Sequence, residues 1–543
     1  MRKYLCACVV LVLALSIAAC GGSTGPSKGT ASNATASNGG AGSSKSYAEL
    51  RWGEDAFAGP VDWKKNVFLA VAWIDDLAIQ SLLEFEPSGK VKLGLASSAE
   101  HPSPTTYVYK IRSGVRFSDG KPLTVADVLY SLQSNITGKE SVMKQYWADV
   151  ASVSASGSST VIIKLKRPQA TWPKILAFTG QIIEKAAAEK VGEKALGTPG
   201  GLMIGTGPWK FDSYKPETSV QFSRNPYWKG PAPPASKVTM NLFKSESSAS
   251  LALRAGAIDG MFTSAPKPYV NIPGARVQTA PGVSTTFIAM NTKLAPFSDV
   301  HVRRAIAYAT DDPGMVKALY PAGYATENVT LLPDTEFDSL GTSSQVNAML
   351  GALPKYDFDL TAAKRELAKS AHPHGFSMTI QTFGGATVEV GAAQILASDL
   401  AKIGVTAKVR EMPPNEASAV FTTPGRVSVF IINYSGIYPD PEGVLSQMLL
   451  PSQIAPSGGG LNVASYKRTE VEKLMSEQSE TPDPATRLHL FGKLLGIVGA
   501  EIPYRPLFTP DEFVPLSDKY VFPTFSPWTV IADPWALDVK LAA

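Results

Sequence analysis

Few residues of this chain are spaced as in a site that performs chemistry. The chain has 543 residues but only 5 histidines. His372 and His374 flank a proline and could begin a metal site. They fall in a loop between a predicted helix and a predicted strand, and the segment supplies no third ligand. We therefore expect no metal and no other cofactor.

Two short motifs of hydrolytic enzymes occur without the structure that their chemistry requires. Ser118 and Lys121 match S-x-x-K, which requires a helix, whereas Asp119-Gly120 between them predicts a turn. Residues 21–25 spell G-x-S-x-G, but no strand precedes them and no helix follows. The phosphate-binding pattern G-x-x-x-x-G-K-[ST] is absent. We predict that the protein is not an enzyme, and an extracytoplasmic hydrolase is the rival hypothesis.

The amino terminus predicts export and lipid anchoring. Arg2 and Lys3 precede an apolar run over residues 5–17, which is the length of a signal-peptide core and too short to span a membrane. Small residues then precede Cys20, and this order resembles the bacterial lipobox, in which the thiol receives diacylglycerol. We predict a signal peptide at residues 1–19, lipidation of Cys20, and a flexible Gly/Ser-rich tether over residues 20–46.

Composition excludes several classes of protein. The net charge is +4, and two of the positive charges lie in the predicted signal peptide. The near-neutral remainder lacks the basic surface of a nucleic-acid-binding protein. All 3 cysteines lie within the first 20 residues, so the rest of the chain has no disulfide scaffold. Its length predicts two or three packing units. No run of 18 apolar residues occurs after the predicted signal peptide, so the sequence predicts no membrane span there.

Strands and helices alternate along the body of the chain, which is typical of α/β proteins. Thr124 is predicted to cap a helix over residues 125–133, with Asp127 at its third position. The other predicted helices cover residues 70–83, 302–309, 360–370 and 390–403. Strands are predicted over residues 48–53, 107–112, 160–166, 209–214, 287–291, 377–383, 405–411 and 427–433.

An ordered set of segments carries a family resemblance. The segments are YVYKIRSGVRFSDGKPLTVADV at 107–128, GTGPWKFDSY at 205–214, RNPYW at 224–228, LRAGAID at 253–259, MN, PF and VRRAI between 290 and 306, and YPDP at 438–441. Together they resemble extracellular solute-binding protein family 5, the binding lipoproteins of peptide- and nickel-type ABC importers. One segment alone would be weak, but the order and the spread over about residues 48–510 make the resemblance specific.

The resemblance implies a clamshell fold like that of periplasmic binding proteins. Two α/β lobes with an additional inserted subdomain are joined by a two-strand hinge, expected near Ser284 and near Leu507. Lobe I would comprise residues 47–65, 200–284 and 508–543, the inserted subdomain residues 66–199, and lobe II residues 285–507. The ligand would lie between lobes that close by a hinge motion.

The resemblance also implies where a ligand is held, and this chain departs from the family there. In many peptide-binding members an aspartate before Tyr-Pro-Asp-Pro pairs with the amine of the ligand. Here Tyr434 keeps the aromatic position, but Ile437 occupies the aspartate position. A buried ammonium without a counter-charge is unfavourable by several kcal/mol. Three hypotheses follow: Asp440 or Glu442 takes the role, the ligand is N-blocked or cyclic, or the ligand is an oligosaccharide or another small polar solute.

The candidate ligand-binding residues lie mainly at the end of the predicted strand 427–433 and just after it. They are Trp73, Phe383, Asn433, Tyr434, Ser435, Ile437, Asp440 and Trp528. Trp52 is a further aromatic candidate, and core packing is the alternative for each aromatic residue. Tyr434 is the strongest candidate, because it holds the aromatic position of the family.

These observations predict an extracytoplasmic lipoprotein on the outer face of the bacterial cell membrane. We expect it to act as a monomer that captures a peptide-like solute and delivers it to an ABC permease, with energy from the partner ATPase. The alternatives are a binding protein for a non-peptide solute and a receptor that senses its ligand without transport.

Overall fold

The computed structural model describes residues 45–543 except 56, 58, 67–68, 414–415, 417–418, 424, 456–460 and 533. The predicted signal peptide, Cys20 and almost all of the predicted tether lie outside the described residues. Within the described residues, no helix combines the length and the apolar character needed to cross a bilayer.

A six-stranded sheet organises the second half of the chain. Its strands, in spatial order, are Ala325–Glu327, Tyr504–Pro510, Ser284–Met290, Val429–Ser435, Ser377–Phe383 and Thr406–Met412. Phe430 and Ile432 pack into one hydrophobic cluster, while Val429 and Ile431 pack into another on the opposite face. The strand is therefore covered on both faces, which explains why its sequence is apolar without alternation.

Helices cover both faces of this sheet. On the face of Val429 lie Val300–Tyr308, Asp312–Leu319, Leu360–Leu367 and Thr387–Ala401. On the face of Phe430 lie Ser343–Gly351, Ala419–Thr422, Pro441–Leu449, Thr469–Glu480 and Pro484–Glu501. We call the six-stranded sheet and these helices the second lobe.

A seven-stranded mixed sheet and a four-stranded antiparallel sheet form the other part of the fold, which we call the first lobe. The larger sheet has the order Trp209–Lys215, Ser219–Arg224, Ala235–Phe243, Tyr47–Asp55, Gly260–Met261, Glu512–Ser517 and Ala275–Ala280. The smaller sheet has the order Ala96–Ser103, Thr106–Ile111, Thr160–Leu165 and Val150–Ser156. The helices of this lobe are Leu69–Asp75, Val125–Thr137, Trp172–Thr179, Lys185–Val191 and Glu246–Arg254. One large hydrophobic cluster spans both sheets.

Most of the predicted elements are present, but one helix is only about half as long as predicted, and the helix predicted over residues 360–370 ends at Leu367. Thr124 caps its helix in a capping box with Asp127, as the sequence predicts. The helix predicted over residues 70–83 ends at Asp75 instead. The Asp75 carboxylate accepts the backbone N–H of Trp63 at 2.8 Å, and the chain then pairs as short strands at Gln80–Ser81. Tertiary pairing therefore overrides the helical pattern.

The chain crosses between the two lobes at two places. Ala275–Ala280 belongs to the seven-stranded sheet and Ser284–Met290 to the six-stranded sheet, so the first crossing is at residues 281–283. The second crossing is at Asp511, because the strand before it, Tyr504–Pro510, belongs to the six-stranded sheet and the strand after it, Glu512–Ser517, to the seven-stranded sheet. These crossings lie within a few residues of the predicted hinge positions. The described residues form one compact unit, so the predicted lobe boundaries stay predictions.

Candidate ligand-binding cleft

Polar residues collect at the edge of the six-stranded sheet where the chain crosses to the first lobe. Asn433, Tyr434 and Ser435 end one strand there, and Ser284 begins the antiparallel neighbour, opposite Ser435. The side-chain amide of Asn433 donates to the hydroxyls of Ser284 and Thr286, at 3.1 Å each. The strand is covered by hydrophobic clusters on both faces up to Ile432, and the residues after it present polar groups at this edge.

The turn that follows this strand brings the second lobe onto the first. Tyr438 is a member of the first-lobe hydrophobic cluster, and Ile437 packs against the same cluster. A Cβ atom on Gly89 of the first lobe would lie 2.7 Å from Trp528 and 3.0 Å from Pro439. Gly89, Trp528 and Pro439 therefore meet at one point, and the lobes are in direct contact through this turn.

Asp440 joins the lobes by ion pairs. It caps the helix Pro441–Leu449 and is fully buried. Arg487 of the second lobe donates two hydrogen bonds to it, at 2.7 and 2.9 Å, and Lys174 of the first lobe donates one at 2.9 Å. Burial favours a higher pKa for Asp440, but Lys174 and Arg487 outweigh it and hold the pKa below its ordinary value. This geometry assigns Asp440 to a bridge between the lobes.

Glu442, the other carboxylate that the sequence offers, is also engaged. Its two oxygens accept hydrogen bonds at 3.0 Å from the hydroxyls of Thr171 and Ser479, and Arg487 lies 3.7 Å away. Burial raises the pKa of Glu442. Both carboxylates that could replace the aspartate of the family are therefore occupied by protein groups.

A carboxyl that sequence reasoning missed lies behind the turn. Glu336, in the short helix Asp334–Phe337, is fully buried. Neither of its oxygens accepts a hydrogen bond of good geometry among the described residues, although the backbone N–H groups of Asp440 and Gly436 are close enough to oppose the rise of its pKa. Its Oε1 lies 3.0 Å from the position that a Cβ atom on Gly436 would occupy. Burial, reinforced by the charge of Asp440, raises the pKa of Glu336 well above its ordinary value. No local motif marks this residue, because only tertiary packing brings it beside the turn.

Tyr434 links this carboxyl to the first lobe. Burial raises the pKa of Tyr434 well above its ordinary value, and the neighbouring Tyr146 and Glu336 raise it further. Tyr146 belongs to the first lobe and packs against its hydrophobic cluster. The ring at the aromatic position of the family packs against the second-lobe cluster, near enough to Tyr146 of the first lobe and to Glu336 for both to affect its pKa.

The remaining aromatic candidates differ in their surroundings. Phe383 lies at the same sheet edge but packs within the second lobe, with its ring centroid 5.1 Å from that of Phe430. Trp73 packs on Phe262 at 4.8 Å, and its buried indole N–H has no partner among the described residues. Trp52 is fully buried in the first-lobe cluster, so its role is core packing and not contact with a ligand. Of the predicted aromatic residues, the structure therefore brings Tyr434 and Trp528 to the contact between the lobes.

The histidine pair lies away from this contact. His372 packs near Phe376, with ring centroids 5.4 Å apart, and His374 is exposed. Over the described part of the chain, no group of three or more His, Cys, Asp or Glu side chains is arranged to hold a metal ion.

Comparison with known proteins identifies the family. The sequence profile described as bacterial extracellular solute-binding proteins, family 5 Middle, matches residues 90–456. The chain belongs to family 5 of the bacterial extracellular solute-binding proteins. This family 5 protein is 26% identical over 443 residues to the glutathione-binding protein GsiB of Escherichia coli O6:K15:H31. The aligned residues cover 79% of this chain and 82% of GsiB.

Solved structures share the fold of this family 5 protein. The periplasmic binding protein DppA of Helicobacter pylori, in complex with the peptide STSA, superposes with a TM-score of 0.80 at 22% identity, over 92% of this chain and 99% of DppA. AgaA of A. tumefaciens R10, in complex with agropinic acid, gives 0.77 at 19% identity, over 91% of this chain and 99% of AgaA. These likenesses confirm the predicted clamshell fold class, and the sequence profile confirms the predicted family. Membership of this family also confirms two predictions: the protein is a solute-binding protein of ABC importers, and it is not an enzyme.

Proposed function

We propose that this protein captures a peptide-like solute between its two lobes and delivers it to the permease of an ABC importer. The composition of the sheet edge at the lobe contact carries the proposal. It offers hydroxyl and amide groups, an aromatic ring at Tyr434, and an apolar wall at Ile437. Extended peptides are recognised by such combinations, because main-chain hydrogen bonds give affinity and roomy pockets accept varied side chains.

The relatives support this ligand class and also a second candidate. GsiB binds glutathione, and the DppA complex holds a peptide. AgaA holds agropinic acid, so the same fold also accepts other solutes. Because Ile437 replaces a carboxylate in the pattern described above, the second candidate is a non-peptide polar solute.

We also infer an extracytoplasmic location on the outer face of the cell membrane, with a lipid on Cys20 as the anchor. The signal-like segment and the small residues before Cys20 support this inference, as does membership of an extracellular family. In this proposal the protein acts as a monomer, and the partner ATPase of the permease supplies the energy for import.

Native mass spectrometry of the protein, purified from the envelope of its own cells, tests the ligand class. We expect the retained solute to fragment as an amide-linked peptide. A solute that fragments as a sugar or another non-peptide would contradict the peptide proposal and support the second candidate. Delivery is tested by uptake of isotope-labelled peptides in cells with and without the protein. Equal uptake in both would contradict a role in import.

A further inference from the structure

A cavity of about 290 Å³ lies within the second lobe, separate from the contact between the lobes. It lies beside the beginning of the strand Tyr504–Pro510, past the point where the neighbouring strand Ala325–Glu327 stops pairing with it. Every residue that lines it falls at positions 310–358 or 499–506, so the polar edge at residues 433–435 takes no part. One lobe therefore forms this cavity by itself, and a molecule bound in it would leave the cleft free.

A buried ion pair between Asp312 and Arg505 forms part of the cavity wall. Nη2 of Arg505 donates to Asp312 Oδ2 and to the Tyr356 carbonyl, while Nη1 donates to the Pro506 carbonyl. Nη1 carries two N–H groups, so one of them has no partner among the described residues. Oδ1 of Asp312 is buried and likewise has no partner among them. Buried polar groups are normally satisfied, so one unused donor and one unused acceptor at a cavity wall require an explanation.

The unused groups match a ligand that carries both a carboxylate and an ammonium. A carboxylate accepts hydrogen bonds from a guanidinium and an ammonium donates to a carboxylate, and such charge-assisted bonds are about twice as strong as neutral ones. Because Asp312 and Arg505 neutralise each other, the wall favours a ligand whose own charges also cancel. Exposed residues of both signs line the same cavity, namely Glu327, Lys355 and Asp357. A ligand with a single charge would satisfy only one half of the pair.

Apolar side chains at the same cavity indicate the rest of the ligand. Among the described residues, six large hydrophobic side chains are exposed, and two of them, Val329 at 43% and Phe358 at 39%, line this cavity. Exposed apolar groups that collect at one place mark binding sites, whereas scattered ones need no explanation. Pockets for drug-sized ligands measure roughly 300–1,000 Å³. The cavity, at about 290 Å³, is therefore suited to a single amino acid and not to a peptide.

We propose that this cavity is a second solute site, which binds a free apolar amino acid through its carboxylate and ammonium groups. The carboxylate of the ligand accepts a hydrogen bond from Nη1 of Arg505, and its ammonium donates to Oδ1 of Asp312. The side chain of the ligand contacts Val329 and Phe358. The site goes beyond the proposed capture of a peptide-like solute, because it uses none of the residues at the lobe contact.

Equilibrium dialysis with three probes and three proteins tests the site. The probes are a mixture of free L-leucine, L-isoleucine, L-methionine and L-phenylalanine, the same mixture acetylated at the amine, and the same mixture as methyl esters. The proteins are the wild type, Val329→Trp, which places a large ring at the cavity, and the control Val270→Trp, which changes a similarly exposed valine of the first lobe. We expect the wild type and the control to bind the free mixture about ten- to a hundred-fold more tightly than either derivative, and Val329→Trp to lose this binding.

A second measurement needs no mutation. Native mass spectrometry of the wild type with the free amino acids and random short peptides should show one amino acid and one peptide on the same molecule. Displacement of the amino acids by the peptides would place both in the cleft, which would overturn the second site and leave peptide capture standing.

Three further results would overturn the inference without bearing on the proposed function. The first is that the wild type does not bind the free mixture. The second is that Val329→Trp binds it as tightly as the wild type, which would exclude the cavity. The third is that the acetylated or esterified mixture binds as tightly as the free one, which would exclude recognition of both charges.

Discussion

Two cations contact the same carboxylate, Asp440, but they belong to different lobes. Lys174 reaches it from the first-lobe helix Trp172–Thr179, whereas Arg487 lies with Asp440 in the second lobe. We predict that Lys174→Met lowers ligand affinity and that Arg487→Met lowers the stability of the second lobe itself. The comparison is informative, because each variant removes one positive charge that contacts Asp440, from the first lobe in one case and from the second lobe in the other.

The contacts of each cation set the expected magnitudes. Lys174→Met removes a charge-assisted hydrogen bond, worth about 1.5–3 kcal/mol, while Arg487 still neutralises Asp440. In a clamshell whose lobes separate without ligand, the bond between Lys174 and Asp440 stabilises only the closed, ligand-holding form. Its loss should therefore lower ligand affinity by about ten- to a hundred-fold. Arg487→Met leaves a fully buried carboxylate with Lys174 as its one cationic partner, and breaking such a buried ion pair costs about 3–5 kcal/mol of unfolding free energy.

Urea unfolding without ligand and calorimetry with a mixture of random short peptides separate the two effects. We expect Lys174→Met to unfold close to the wild type but to bind more weakly. Arg487→Met should unfold at lower denaturant, with and without ligand. If Lys174→Met loses as much stability as Arg487→Met while affinity is unchanged, the bridge does not act across an opening cleft.

Three further predictions follow from other positions. Cys20→Ala should abolish fatty-acid labelling and release the protein or leave its signal uncleaved; labelling that persists would contradict the anchor. Gly436→Ala should destabilise the protein by about 1–3 kcal/mol in urea unfolding, because a Cβ atom would lie 3.0 Å from Glu336; an unchanged midpoint would show that the turn can relax. Burial raises the pKa of Glu512, beside the second crossing, to about 7, so folding stability should fall as pH rises from about 4.5 toward 7, and Glu512→Gln should flatten this part of the curve; an unchanged slope would contradict it.

The sequence predicts the scaffold of the cleft well, because the signals for it are local. The uninterrupted apolar run before Asn433 indicates a strand covered on both faces, and the structure has one. The Thr124 cap depends on two residues three positions apart, and both hydrogen bonds are present. Such features need no knowledge of the rest of the fold.

The charges at the cleft could not be predicted in this way. Asp440 stands out in the sequence as a free acid for the ligand, yet Lys174 and Arg487 reach it from 266 and 47 residues away along the chain. Glu336 lies about 100 residues from the turn it supports, in a segment without a recognisable pattern. Whether a buried acid is paired depends on which distant elements meet it, and that information is absent from spacing and composition.

The turn after Val429–Ser435 carries the contact between the two lobes. One side of the turn carries Asp440, whose bond to Lys174 exists only when the lobes are in contact. The other side lies against Glu336, which the charge of Asp440 makes harder to ionise. Closing the lobes therefore forms the bond between Asp440 and Lys174 while Glu336 stays buried beside the turn, so the balance between the open and closed forms depends on the charges at this turn. A ligand shifts an equilibrium only by its difference in affinity for the two states, so a hundred-fold preference for the closed form would turn an evenly populated pair of states almost wholly closed.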